Sequence, residues 1–115
     1  MKKKLGARGE EIAAHYLCKQ GYEILARNYH TRYGELDIIC HKDEGVVIVE
    51  VKTRTSIKFG FPEEAVTLRK IGHLKKAALI YLGQNNGFFR EIRFDVVTVF
   101  IDGNRVKINH IENAF

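Results

Sequence analysis

The apolar run from Val46 to Val51 constrains the fold more than any other feature of this chain. Side chains alternate across an extended strand, and here both alternating sets are apolar: Val46 and Ile48 on one side, and Val47, Val49 and Val51 on the other. A strand that is buried on both faces belongs inside a sheet with helices packed on each side. The sequence therefore predicts an α/β protein with this strand in the middle of the sheet.

Hydrophobic periodicity and turn residues predict seven elements in the order α-β-β-β-α-β-β. The predicted helices span 4–19 and 67–82, and the predicted strands span 22–29, 35–40, 46–52, 92–101 and 106–111. We expect Gly21 to end the first helix, Thr67 to cap the second, and Gly83 to lie just past its end. A turn-like stretch is expected at 28–34, and Pro62 marks the change from a loop at 53–61 to helix. This order predicts a central mixed five-stranded sheet flanked by helices.

Length and composition limit the class of protein. The 115 residues are expected to form a single domain, residues 1–115. The longest apolar run, residues 77–82, is far shorter than the ~20 residues of a membrane span, and no membrane partner is expected. Cys18 and Cys40 form no Cys-x-x-Cys pair, which favours a reducing cytoplasm over a disulfide scaffold. The net charge of +5 favours a polyanionic partner, with nucleic acid as the first candidate.

Carboxylates lie within the two strands that have the strongest signals. The turn at residues 42–45 is expected to close an antiparallel hairpin in which Asp37 faces Glu50 and Glu35 faces Lys52. Because side chains alternate, these four are expected to project from one face. Opposed carboxylates repel by roughly 0.2–1 kcal/mol when exposed, and by more when half buried. A counter-charge is therefore needed, and a divalent cation would supply a better one than Lys52.

The first helix offers a further carboxylate. Glu10 lies at the edge of the apolar stripe, whereas Glu11 lies nearer to solvent. The carboxylates of Glu10, Asp37 and Glu50 provide only oxygen ligands, which suit Mg²⁺ or Mn²⁺. A lysine beside them is typical of phosphoryl chemistry, where it orients or deprotonates water or balances charge on the phosphate. A Glu-x-Lys triplet alone is commonly a solvated salt bridge, and an early-helix Glu commonly serves the helix dipole.

Several motifs along the chain resemble the small, uncharacterised bacterial YraN-type family. They are Gly9-Glu10-Glu11-x-Ala13, Gly21-Tyr22, Arg27-Asn28, Gly34-Glu35-Leu36-Asp37, Glu50-Val51-Lys52-x-Arg54 and Phe59-Gly60-x-Pro62-x-Glu64-Ala65-Val66. That family resembles the restriction-endonuclease-like superfamily, and within it the archaeal Holliday-junction resolvases. The resemblance implies an endonuclease-like fold and a PD-(D/E)xK-type site made of Asp37, Glu50, Lys52 and Glu10. The superfamily often has Pro before the Asp, whereas this chain has Leu36.

The leading hypothesis is a Mg²⁺- or Mn²⁺-dependent nuclease that hydrolyses DNA, with branched, Holliday-junction-like DNA as the expected substrate. In this hypothesis Glu10, Asp37 and Glu50 bind the metal ion, and Lys52 helps to activate water. A non-catalytic nucleic-acid-binding module with the same fold is the alternative, and a scaffold with a vestigial site is a third candidate. By analogy with resolvases, a homodimer in the cytoplasm is expected.

Basic residues outside the carboxylate site predict a nucleic-acid-binding surface. They are Arg32, Arg54, Lys58, Arg69, Lys70 and Lys76. The same residues could equally solvate a loop and a helix face. Tyr33 and Phe59 are candidates for stacking on bases, although tyrosines beside glycines usually pack. Glu35 could serve as a metal ligand, but it is interpreted as a salt-bridge partner. Asp95 is interpreted as structural, and Cys40 as a small core residue.

Overall fold

The computed structural model describes residues 2–43, 45–55, 67–85 and 91–115. The elements are α1 (Lys2–Lys19), β1 (Glu23–Thr31), β2 (Gly34–Lys42), β3 (Gly45–Arg54), α2 (Leu68–Asn85), β4 (Glu91–Asp102) and β5 (Arg105–Ile111). Their order confirms the predicted α-β-β-β-α-β-β arrangement. Three predictions, for Lys58, Phe59 and Pro62, fall outside the described residues.

The five strands form one mixed sheet in the order β1-β2-β3-β4-β5. The pair β3–β4 is parallel, and the other three pairs are antiparallel. A parallel pair needs a crossover connection, and α2 lies in the segment between β3 and β4. The strand that is apolar on both faces, β3, occupies the centre of the sheet, as predicted.

In the described part of the chain, α1 covers one face of the sheet and α2 covers the other. The α1 side contains Ala13, Ala14 and Leu17 packed with Ile38, Cys40, Val47, Val49, Val97, Val99 and Ile101. The α2 side contains Leu74, Ala77, Ala78 and Tyr81 packed with Leu36, Ile39, Val46, Ile48 and Phe94. Each fully buried aliphatic side chain contributes about 1.5–3 kcal/mol. The apolar side chains on one face of β3 therefore pack on the α1 side, and those on the other face pack on the α2 side.

Local signals end α1 and begin α2 where the sequence predicts. Gly21 adopts a positive φ of 95°, and the next N–H, that of Tyr22, donates to the carbonyl of Leu17 at 3.0 Å. This is the glycine-terminated helix end that the sequence predicts. At the start of α2, the hydroxyl of Thr67 accepts a 3.1 Å hydrogen bond from the N–H of Lys70, which confirms its capping role.

Two predicted boundaries are wrong. Gly83 lies inside α2, which continues to Asn85, and the Asn85 amide donates to the carbonyl of Tyr81 at 2.8 Å. An interior glycine costs a helix only about 1 kcal/mol, so Gly83 alone does not end it. Instead of a turn beginning at residue 28, β1 runs on to Thr31, and a tight turn at residues 32–33 leads into β2.

Asp95 is a buried structural residue, as predicted. Its side chain is fully buried on β4 and accepts two hydrogen bonds of 2.8 Å from Arg93 and one of 2.9 Å from the N–H of Asn113. The Nε2 atom of His110 lies 2.7 Å from its carboxylate. Burial raises the pKa of Asp95, but the hydrogen bonds from His110 and Arg93 outweigh burial and hold that pKa below its usual range.

Neither cysteine forms a disulfide, which agrees with the sequence-based expectation. Cys18 and Cys40 are free thiols, and Cys40 is a fully buried core residue whose pKa is raised to about 12 by burial. No helix in the described part of the chain is long and apolar enough to cross a membrane.

Candidate active site

The β2–β3 ladder has the predicted register but ends before it reaches the acidic residues. The last paired residues are Ile38 and Val49. Asp37 and Glu50 come next, yet they do not pair, because the Oδ2 atom of Asp37 accepts a 2.9 Å hydrogen bond from the backbone N–H of Val51. The prediction that Asp37 directly opposes Glu50 is therefore wrong. A side-chain oxygen replaces a backbone acceptor at the point where the strands separate.

The expectation that four polar side chains share one face is also wrong, and the predicted pairing of Glu35 with Lys52 is absent from the described ladder. Alternation is regular along β3, where Val49 and Val51 pack on the α1 side. The Glu50 carboxylate between them lies 3.6 Å from the Nζ atom of Lys70 on α2.

Alternation breaks in β1 and β2 at the same level of the sheet. Asn28 and Asp37 lie between two paired positions, and Asn28 has a positive φ of 51°. Consecutive side chains then turn to the α1 side on each strand. On β1, Arg27 contacts Glu11 and Asn28 contacts Glu10; on β2, Asp37 approaches Glu10 and Ile38 enters the α1-side core. Asparagine tolerates positive φ better than most residues, which allows this break.

Three carboxylates meet at this break. One oxygen each from Glu10, Glu35 and Asp37 lies within 4.8 Å of the others. The neighbouring acids determine the orientation of the Asn28 amide group. In this orientation its Nδ2 atom donates hydrogen bonds to Glu10 at 2.8 Å and to Glu35 at 2.6 Å. Glu35 thus belongs to the carboxylate cluster as well as lying 3.4 Å from His30. The sequence reasoning missed the role of Asn28, whose only signal was the Arg27-Asn28 motif.

The four residues predicted to be catalytic line one cavity of ≈610 Å³. The lining residues are Leu5, Gly6, Glu10, Asp37, Glu50, Val51, Lys52, Thr53, Arg54 and Thr55. They come from α1 and from the neighbouring ends of β2 and β3. The cavity therefore opens where the sheet splits, and it brings together acids from three elements.

The environment of the cavity shifts two carboxyl groups toward their protonated forms. Burial is the main cause that raises the pKa of Asp37 to about 7, and the charge of Glu50 adds to it, while the hydrogen bond from Val51 opposes the shift. Burial and the charge of Glu35 also raise the pKa of Glu10. Added positive charge would lower these pKa values and allow the crowded acids to ionise together at a lower pH.

Glu50 is the most deeply buried acid of the cavity, with a side chain that is 8% exposed. Its Oε1 atom lies 3.8 Å from Lys52 and 3.6 Å from Lys70. These distances exceed the 2.7–2.9 Å or so of charge-assisted hydrogen bonds. Its Oε2 atom is buried and has no hydrogen-bond partner among the described residues. A buried carboxylate oxygen that has no hydrogen-bond partner can serve as a ligand to a cation.

The donor set fits a hard divalent cation. Carboxylate oxygens from separate elements converge, and no sulfur or imidazole lines the described part of the cavity. Mg²⁺ and Mn²⁺ prefer such oxygen ligands. A bound cation would lower the pKa of Asp37 and would give the buried Oε2 atom of Glu50 a partner. The residues present therefore fit the ion that the sequence predicted.

A close helix–strand contact sets the position of Glu10. Gly9 packs so tightly on Thr53 that an added Cβ would lie 1.9 Å from the Thr53 hydroxyl oxygen. Glu10 follows directly and lies at the edge of the buried face, whereas Glu11 is exposed and pairs with Arg27 at 2.6 Å. Both expectations for these two acids are confirmed. Glycine at position 9 thus lets α1 bring Glu10 to the cavity.

The predicted basic residues take different positions around the site. Arg54 lines the cavity and donates to the Thr53 carbonyl at 2.9 Å. Lys70 contacts Glu50, and Arg69 is exposed at the start of α2. Arg32 and Lys76 lie together over the ring of Tyr33, and Lys58 is outside the described residues.

The amino-acid sequence is similar to one protein family along most of its length. The model of the family described as "Uncharacterised protein family UPF0102" matches residues 9–99. A UPF0102 protein of Syntrophomonas wolfei is 62% identical over 115 residues and is covered completely, as is this chain. A UPF0102 protein of Caldicellulosiruptor bescii is 47% identical, with 98% of each chain covered. One of Nocardia farcinica is 46% identical, with 99% of this chain and 91% of the relative covered.

Proposed function

This chain belongs to the uncharacterised protein family UPF0102, and we propose that it is a metal-dependent nuclease that hydrolyses phosphodiester bonds in DNA. The observation that carries the proposal is the convergence of Glu10, Asp37, Glu50 and Lys52 on one cavity. A solvated salt bridge between Glu50 and Lys52 would leave both groups in water. Instead their side chains are 8% and 20% exposed, which favours a chemical role over a solubilising one.

The carboxylates of Glu10, Asp37 and Glu50 would hold Mg²⁺ or Mn²⁺, with Glu35 beside them. Such an ion, when bound, lowers the pKa of water and stabilises the leaving oxygen of the phosphodiester. The N–H of Val51 holds Oδ2 of Asp37 in place, which leaves Oδ1 available. Asn28 restrains Glu10 and Glu35 in the same way. Fixed ligands reduce the reorganisation that the reaction requires.

Lys52 is the group proposed to act directly on water or phosphate. Its Nζ atom lies 3.8 Å from Glu50, too far for a strong hydrogen bond, so its protons remain available to a substrate. It can orient the attacking water or balance charge on the phosphate in the transition state. Arg54 lines the same cavity and supports binding of the flanking phosphate.

The test is a cleavage assay on Holliday-junction, flap, single-stranded and duplex DNA with Mn²⁺ or Mg²⁺. Cleavage is expected with wild-type protein and is expected to be lost in Asp37→Asn and Lys52→Ala. A matched pair of neighbours provides the control: Glu10→Gln should lower cleavage, whereas Glu11→Gln should not, because Glu11 points to solvent. Unchanged cleavage in Asp37→Asn and Lys52→Ala would defeat the proposal.

A non-catalytic nucleic-acid-binding module is the second candidate. The net charge of +5 favours it, as do basic residues that lie outside the cavity. It predicts salt-sensitive binding without dependence on divalent metal. DNA binding that tightens when Mn²⁺ is added, and weakens in Glu10→Gln, would exclude this candidate in favour of the nuclease.

The proposed setting is the cytoplasm, where DNA is the partner and free thiols such as Cys18 and Cys40 stay reduced. A homodimer is proposed because a junction needs two cuts and one chain offers one site. Light scattering with and without a DNA junction tests this stoichiometry.

A further inference from the structure

The turn between β1 and β2 and the middle of α2 form a cationic cluster that the carboxylate site does not use. The guanidinium carbon of Arg32 lies 5.0 Å from the ring centroid of Tyr33. The Nζ atom of Lys76 lies 5.2 Å from the same centroid, and the ring of His73 lies 6.4 Å away at an angle of 38°. One aromatic ring thus gathers groups from two elements that are distant in sequence.

Among the described residues, no carboxylate pairs with the cations of this cluster. In residues 2–43, 45–55, 67–85 and 91–115, neither Arg32 nor Lys76 forms an ion pair. The quadrupole of Tyr33 attracts each cation by only about 0.5–1 kcal/mol at an exposed site. Arg32 and Lys76 also repel each other. An anion bound between them would relieve that repulsion.

The cluster lies close to the carboxylate site along both of its elements. Tyr33 precedes Glu35 by two residues, which is about 7 Å along a strand, and Glu35 belongs to the carboxylate cluster. On α2, Lys70 contacts Glu50, and Lys76 follows six residues later, or about 9 Å along the helix. Phosphates on one strand of duplex DNA advance by about 3.4 Å each along the helix axis, so neighbouring phosphates of one strand could contact both places.

We propose that Arg32, Tyr33 and Lys76 form a subsite for a backbone phosphate of the nucleic-acid strand that enters the carboxylate cavity. This inference rests on the proposed function for its choice of ligand. Tyr33 serves as the platform that holds the two cations apart and directed at the phosphate. Because the contacts are to the backbone, the subsite binds without regard to sequence.

The test is fluorescence anisotropy with short labelled single-stranded and duplex DNA in EDTA, which removes turnover from the measurement. Arg32→Gln and Lys76→Gln are each expected to weaken binding about three- to tenfold at low salt. Each should also make the log–log salt dependence shallower by about 0.7–0.9. Lys75→Gln is the matched control, because it removes the same charge from the adjacent exposed position on α2.

The platform role of Tyr33 has its own pair of variants. Tyr33→Phe should bind DNA like wild type, because the ring is retained, whereas Tyr33→Leu should bind as weakly as Lys76→Gln. Equal binding of DNA by Tyr33→Phe and Tyr33→Leu would contradict the proposed role of the Tyr33 ring. Displacement of DNA by inorganic phosphate at equal phosphate concentration would assign the subsite to free phosphate and overturn the proposal.

The two proposals fail in different ways. Suppose that wild-type protein cleaves DNA, and that Arg32→Gln and Lys76→Gln bind DNA as tightly as the control Lys75→Gln. The proposed subsite is then overturned, whereas the proposed nuclease activity stands. If these variants lose binding as expected but wild-type protein never cleaves DNA, the nuclease fails and the subsite stands. A wild-type protein that binds no DNA overturns the subsite.

Discussion

The carboxylate of Asp37, one residue beyond the end of the β2–β3 ladder, accepts a 2.9 Å hydrogen bond from the backbone N–H of Val51, which lies two residues beyond that end. The bond holds a half-buried acid beside Glu50, whose charge opposes ionisation of Asp37. The strand ends therefore hold Asp37 and Glu50 in an electrostatically unfavourable arrangement. In the proposed function, a bound cation would relieve it.

Asp37 should make the metal-free protein less stable as the pH rises. Its pKa is 3.8 when unfolded and about 7 when folded, so the folded state binds more protons between these values. The free energy of unfolding therefore falls as the pH rises through this range, by at most about 4 kcal/mol from this group. Urea unfolding in EDTA at several pH values measures the effect.

Asp37→Asn removes this titration and should unfold with a flatter pH profile, gaining stability over wild type above pH 7. Asp43→Asn is the control, because Asp43 lies exposed in a turn. Parallel pH profiles for wild type and Asp37→Asn would show that the carboxyl titrates normally.

Metal binding should be coupled to loss of the Asp37 proton. Below pH 7 a divalent cation must displace that proton, so the apparent Kd for Mn²⁺ should fall as the pH rises toward 7, by up to about tenfold per pH unit. Calorimetry in two buffers of different ionisation enthalpy counts the protons released. A Kd that is the same well below and well above pH 7 would contradict the role of Asp37 as a ligand.

The sequence predicts the strands of the sheet and their order, but it does not predict that β2 and β3 separate beyond Ile38 and Val49. The two apolar sets of Val46–Val51 identified the central strand, and a four-residue turn fixed the register that Ile38 and Val49 confirm. Strict alternation was the only rule available beyond that point. It fails at Asn28 and Asp37, where a positive φ and a side-chain acceptor replace ladder hydrogen bonds. Glu35 is interpreted from the sequence as a salt-bridge partner, and it does lie 3.4 Å from His30, but the break that turns it toward Glu10 has no pattern in sequence.

The Asp95 network should determine the stability of the fold far from the cavity. Asp95→Asn removes a buried charge that Arg93 and His110 both contact, and breaking such a buried group of charges costs about 3–5 kcal/mol. The pKa of Asp95 is lowered on folding, so its contribution is full above pH 4 and is lost as the pH falls through its folded pKa. Urea unfolding near pH 7 and in acid checks both statements.

Asp102→Asn at the exposed end of β4 is the control for Asp95→Asn and should change stability by less than about 0.5 kcal/mol. A loss of stability in Asp95→Asn no larger than this would mean that the network is dispensable.

Gly9 should couple the packing of α1 to metal binding. The Cβ of Gly9→Ala would lie 1.9 Å from the Thr53 hydroxyl oxygen and 2.9 Å from its Cβ. Either the Thr53 side chain or α1 must shift, and we expect α1 to move, at a cost of about 1–3 kcal/mol. Because Glu10 follows Gly9, Mn²⁺ affinity should fall as well. Gly72→Ala on α2 is the matched control: its Cβ meets nothing within 4 Å, it does not line the cavity, and alanine should stabilise the helix by up to about 1 kcal/mol. If both variants bind Mn²⁺ equally well, the position of Glu10 does not depend on this contact.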